Sequence, residues 1–294
     1  MNSLWCTVAP INYEDPFSSL SVPFEFERGV KICEVPEWLK SESFANYLNG
    51  ADRSLLLKDV QYTFYSEYET DGPGTPELCA QHEAIDLANL ALWLAKPNGL
   101  GFSAIFDVDG LPSDPNFRSF QEVRKLEPHM RYENIYLTLD DQKRAKDLHA
   151  VLLTLSRTGS LWRSVFSLWQ ALTQGDWATR YLLLWISLES LFGPEDTREL
   201  SYRLSQRIGF FLASDRREAS SVFETARKGY NWRSKVVHGL HLSKLGRDDS
   251  NEISFAAEDL VNQSLNKILH DRNLPRLFDS KEREGYLDSL PFKN

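Results

Sequence analysis

Arg233 and His238 stand five positions apart within residues 229–242, GYNWRSKVVHGLHL. A guanidinium is always charged and presents a planar fork of donors. An imidazole is the side chain that changes charge near neutrality. Together they suit chemistry on a phosphate. Ser234 adds a small hydroxyl beside the arginine, Val236 and Val237 separate the two groups, and Gly239 follows directly. On a helix, residues five apart sit roughly 140° apart around the axis and about 7.5 Å along it. The pair therefore brackets one edge of the helix, and a long arginine can swing over to share a target with the histidine. A surface arginine beside a histidine packed in a bundle has the same spacing, so the spacing alone does not assign a site.

The elements that must position this pair are helices. From about residue 140 the apolar spacing turns helical, with Leu148, Val151, Leu152 and Leu155 on one face. Helices are predicted over 140–157, 161–174, 176–192, 196–213, 215–227, 254–271 and 281–290. Asp176 is the expected N-cap of the third and Gly193 its stop. Gly229 is read as a break ahead of a separate helix that carries Arg233 and His238. The first part of the chain differs. Strands are expected over 24–33, 59–67 and 101–108, where aromatic and β-branched residues partly alternate. A buried helix over 76–96 is announced by Thr75 and Pro76 and ended by Pro97-Asn98-Gly99. Residues 109–134 read as an extended connection, and 133–139 as a last strand or the lead-in to a helix. The expected fold class is α+β. A mixed, β-rich regulatory or sensor domain (1–137) precedes an all-α bundle (138–294).

The bulk numbers bound the function. A formal net charge of −9 argues against a general nucleic-acid coat protein. Within residues 198–247, however, eleven Lys/Arg face four Asp/Glu, which fits a local surface for phosphate or a solvated helix face. Three scattered cysteines, Cys6, Cys33 and Cys79, have no metal spacing and point to a reduced, cytoplasmic setting. The N-terminus lacks the pattern of a signal peptide, and no apolar run is long enough to span a bilayer, so no membrane partner is expected.

The segment 185–213 and the stretch 230–239 together resemble the HEPN superfamily, in particular its Apea-like branch. The resemblance covers about residues 140–272, and no resemblance covers 1–135. It rests on Leu188-Glu189-Ser190-Leu191, on Arg203 and Arg207 in the following helix, and on Tyr230, Arg233, Ser234, His238 and Gly239. The resemblance implies a helical bundle whose Arg-x4–6-His motif works as a metal-independent endoribonuclease. It also implies a homodimer that brings two motifs to one cleft, and a place in toxin–antitoxin or antiviral defence. Arg233 and His238 then match the catalytic pair. Ser234 departs from the Asn, Asp or His often found after the arginine. Leu240 stands where members controlled by a nucleotidyltransferase antitoxin end in His-x-Tyr, so that control is not expected.

Cutting RNA without a metal needs a base for the 2′-OH, an acid for the leaving 5′-oxygen and positive charge on the phosphorane. An imidazole with a pKa around 6.5 can do either proton job near neutral pH. A guanidinium forks onto two phosphate oxygens. A single histidine cannot easily do both transfers in one step, which gives a chemical reason for pairing. The alternative is a silent module that binds RNA, a nucleotide or a protein partner. Weaker candidates fall away. His238 and His241 share a face but have no carboxylate partner at ligand spacing, so neither metal nor cofactor is expected. Asp107-Val108-Asp109-Gly110 starts like a calcium loop without the later ligands and reads as a turn. Glu189, in an apolar helix, is expected to pair with Arg203 or Arg207. Trp162, Trp169, Trp177, Trp185 and Trp232 read as core or dimer contacts.

Overall fold

A computed structural model describes residues 3–11, 22–45, 60–71, 75–102, 104–110, 118–123, 136–196, 198–239 and 247–292. The chain divides into two compact units, Met1–Leu153 and Thr154–Asn294. The first is built on a sheet and the second is helical, so the fold class is α+β.

In the first unit, six strands form one antiparallel sheet in the order β2-β3-β4-β1-β5-β6. They are β1 Ser3–Pro10, β2 Phe24–Glu25, β3 Lys31–Glu34, β4 Tyr62–Thr70, β5 Ala104–Asp109 and β6 Arg118–Val123. Among the described residues, three helices accompany them: α1 Glu42–Ala45, α2 Pro76–Ala95 and α3 Leu139–Thr154. The register sets Lys31 opposite Tyr65, Tyr65 opposite Val8 and Val8 opposite Phe106, which puts all four on one face. There Val8, Phe106 and Val108 pack with Leu39 and Phe44 from the 3-10 turn Glu37–Lys40 and α1. On the opposite face Trp5 and Tyr68 pack with Leu78 of α2. Thr75 caps α2 by accepting from the Leu78 amide, and from Ala84 to Ala95 the helix is buried nearly all round, where its apolar residues are densest.

Several expectations are corrected. The strand read over 24–33 is a hairpin of β2 and β3. Arg28 and Gly29 take left-handed backbone angles (φ 57° and 71°), which fold the chain back. β1, the inner strand between β4 and β5, had no signal beyond a short mixed run ending in Pro10. β6 lies inside the stretch read as a connection, and Asp107 is a residue of β5, not of a turn. Only after it does Gly110 turn the chain, at φ 84°. The predicted strand 59–67 is realised over Tyr62–Thr70, and residue 59 lies outside the described residues. Residues 136–138 lead into α3.

The boundary between the units falls at the end of α3, whereas the composition shift near 138 placed it ahead of that helix. The cause is His149 of α3, fully buried in the first unit. Its Nδ1 accepts from the Glu27 amide at 3.3 Å and its Nε2 donates to the Ala84 carbonyl at 3.0 Å. Burial pushes the His149 pKa down to about 4, so the ring is neutral.

The second unit comprises α4 Ser160–Leu172, α5 Trp177–Phe192, α6 Leu200–Leu212, α7 Arg216–Val237, α8 Arg247–Leu269, α9 Leu274–Phe278 and α10 Arg283–Ser289. α4 packs along α5, α6 along α7, and α8 against α5, α6 and α7. Side chains tie down the helix ends. Asp176 accepts from the Thr179 amide at 2.9 Å, Asp279 from the Leu161 amide at 2.9 Å, and Lys267 donates to the Phe211 carbonyl at 2.6 Å. Inside, Arg180 of α5 meets Glu258 of α8 at 2.7 Å, with side chains 5% and 0% exposed. Among the described residues, no helix is long and apolar enough to cross a membrane.

Candidate active site

α7 is one continuous helix through Gly229, not two. The glycine is there for close approach. A Cβ on it would lie 2.6 Å from the Trp185 ring of α5, and the Tyr181 hydroxyl donates to the Gly229 carbonyl at 2.6 Å. This contact sets α7 tightly against α5. The next turns of α7 then present Tyr230 and Arg233 to Glu189 near the end of α5.

Glu189 is the centre of this cluster. The Arg233 guanidinium reaches it with Nε 3.1 Å from Oε1 and Nη2 3.5 Å from Oε2. Both side chains are about a quarter exposed, at 27% for Arg233 and 26% for Glu189. The Nε contact lacks hydrogen-bond alignment, so the pair is held by charge more than by direction. The Tyr230 hydroxyl lies on the Glu189 side and favours its carboxylate, and the Tyr230 ring lies 5.5 Å under the Arg233 guanidinium. Trp185 closes the cluster from below, edge-on to Tyr230 at 5.4 Å. Burial raises the Glu189 pKa, and Arg233 and Tyr230 only partly offset it.

The expected pairing of Glu189 with Arg203 or Arg207 is therefore corrected. Arg207 is buried and donates to Glu284 at 2.6 Å, to Asp288 at 2.7 Å and to the Phe192 carbonyl at 3.2 Å. Arg203 lies 3.5 Å from Glu284. Both arginines bind the tail helix α10 and close the C-terminal end of α5. Their carboxylate partners lie some eighty residues downstream, with no motif to announce them.

His238 sits at the C-cap of α7, where its amide donates to the Ser234 carbonyl at 3.2 Å. Gly239 then ends the helix at φ 65°. The His238 side chain is exposed and makes no hydrogen bond or ion pair with any described residue. Ser234 is exposed as well, while Val236 is buried and holds the last turn down. The structure thus gathers Glu189, Tyr230 and Arg233, and leaves His238 and Ser234 on the open side of the same helix end. Leu240 and His241 lie outside the described residues.

Much of the basic segment 198–247 is neutralised locally. Arg198 pairs with Asp196, Arg203 and Arg207 with α10, Lys228 with Glu252, and Arg233 with Glu189. Lys235 instead lies 4.0 Å over the half-buried ring of Trp232, the residue next to Arg233. Trp185 is core, as expected, whereas Trp162, Trp169, Trp177 and Trp232 are only partly buried.

One constellation had no signal in the sequence. In the first unit His82 Nε2 lies 3.0 and 2.9 Å from the two Asp107 oxygens. The Thr7 hydroxyl is 2.6 Å from Asp107, and the Tyr68 hydroxyl donates to it at 3.3 Å. All four are buried, so the network ties β1, β4 and β5 to α2. Among the described residues, no three or more His, Cys, Asp or Glu stand together as a metal site. The three cysteines are free. Comparison of the chain with protein-family models, with curated proteins and with solved structures returns no match.

Proposed function

We propose that the protein is a metal-independent endoribonuclease of HEPN type, acting in the cytoplasm as a toxin-like or antiviral effector. The reading is carried by one observation. The end of α7 holds an arginine braced by a carboxylate and a tyrosine, with an exposed histidine that has no partner among the described residues one turn further on. In this mechanism Arg233 forks onto the scissile phosphate, and Glu189 and Tyr230 fix the direction of its guanidinium. His238 moves one proton, to or from the ribose 2′-OH or the leaving 5′-oxygen. A second copy, paired through the helical unit, supplies the other histidine. Attack by the 2′-OH leaves a 2′,3′-cyclic phosphate and spares DNA. The first unit responds to a trigger or controls access.

A specific observation favours the second reading, a silent module that binds RNA, a nucleotide or a protein. Arg233 already has a carboxylate partner, so an incoming phosphate must compete with Glu189 for it. A structural clamp between α5 and α7 would look the same. Incubating the purified protein with total RNA and EDTA separates the two. The nuclease gives fragments with 2′,3′-cyclic ends and leaves matched DNA intact. Uncut RNA, or cutting that returns only with added metal, supports the silent module.

A further inference from the structure

The first unit carries a cavity of about 560 Å³ on the sheet face opposite α2, within the size range of small-molecule sites. Trp38 and Tyr65 supply aromatic walls, Pro23 and Pro36 flat aliphatic ones, and Lys31 and Cys33 project from β3. None of these residues takes part in the Arg233 cluster, and this inference stands independently of the ribonuclease reading.

Lys31 is the informative group. Its cross-strand neighbour in the register is Glu25, a carboxylate placed to pair with it. Yet Lys31 makes no ion pair with any described residue, and its Nζ stands 4.7 Å over the Tyr65 ring instead. The ammonium therefore points into the cavity. Burial holds the Cys33 thiol above its ordinary pKa, so the neutral thiol offers the lysine no countercharge. The Tyr65 hydroxyl is occupied as a donor to Glu67 at 2.6 Å, which fixes the ring as a wall. Glu34, one residue past Cys33, alternates to the other face of β3 and is exposed.

We propose that this cavity is a binding site for a small planar molecule that carries one anionic group for Lys31. The ring lies against Trp38 and the prolines. A nucleoside monophosphate and an aromatic carboxylate share this chemistry.

Isothermal titration of the full chain tests it, with AMP and indole-3-acetate as probes and adenosine and indole as neutral controls. At least one anionic probe should bind with a Kd below about 1 mM, and its neutral control about tenfold or more weaker. Binding of AMP alone marks a nucleotide site, and of indole-3-acetate alone an aromatic-acid site. Lys31→Met should weaken binding by about tenfold with an unchanged melting temperature. Should that variant melt early, Lys31→Gln takes its place. The proposal is overturned if neither anionic probe binds at millimolar concentration. Neutral probes binding as well as anionic ones, or binding unchanged in a folded Lys31 variant, would overturn it too.

Discussion

Helix α5 carries two arginine–glutamate pairs, and they differ in what surrounds them. Arg180 meets Glu258 deep in the bundle at 2.7 Å, with side chains 5% and 0% exposed. Glu189 meets Arg233 at 3.1 Å, with side chains about a quarter exposed. The first pair is closed to solvent and joins α5 to α8. The second is open on one side and joins α5 to the end of α7, where His238 stands exposed. The histidines repeat the contrast. Both His149 ring nitrogens are bound inside the first unit, while the His238 ring has no partner among the described residues. Residue type alone does not separate a closed, saturated group from one left open to a ligand. Burial and the saturation of donors and acceptors do.

The largest effect expected from this contrast lies in the closed pair. Glu258→Ala leaves Arg180 charged and unpaired in the core, which costs about 3–5 kcal/mol. Denaturant unfolding of the variant should show that loss. A loss well under about 1 kcal/mol would mean that water reaches Arg180, and the two pairs would no longer differ in kind.

Next comes the closed histidine. Its folded pKa, about 4, lies below the ordinary value of 6.5. The unfolded chain therefore binds the proton first as pH falls. Stability from this group is fully present above about pH 6.5 and is lost progressively towards pH 4, by at most about 3 kcal/mol. Melting temperatures measured from pH 7 to 4 should fall more steeply in the wild type than in His149→Gln. Equal slopes would show that His149 is not held neutral.

The smallest effect on stability belongs to the open pair. Glu189→Gln keeps the shape and one acceptor for Tyr230 and Arg233, and should cost about 1 kcal/mol. Under the nuclease account it should also slow cleavage less than Arg233→Lys does, because Glu189 orients the fork and Arg233 is the fork. An unchanged melt together with an unchanged rate would remove Glu189 from both roles.

The helices were legible because their ends carry local signals. Thr75 and Asp176 cap where expected, Asp215 begins the helix read from it, and Gly193 ends α5. Gly229 misled for a physical reason. A glycine between polar residues reads as a break, yet here its missing Cβ admits Trp185, a contact that no local pattern encodes. β1 and β6 were missed because strands gain much of their stability from the strands they pair with, not from their own sequence. The Arg-x4-His spacing was legible, and so was the partial burial of Glu189. Its partner was not. Three arginines were available to it, and the position of α10 decided the matter by taking Arg203 and Arg207.

The central claim, that the open end of α7 cuts RNA, is tested most directly by paired measurements on His238→Ala and Arg233→Lys. Each variant is melted and assayed against the same RNA in EDTA. His238 is exposed, so its loss should leave the melting temperature unchanged while the cleavage rate falls about a hundredfold or more. Arg233→Lys should cut nearly as poorly as Arg233→Ala, because lysine keeps the charge but loses the two-pronged grip. A His238→Ala protein that melts normally and still cuts at the wild-type rate contradicts the claim, and leaves a silent binding module with an Arg233–Glu189 clamp.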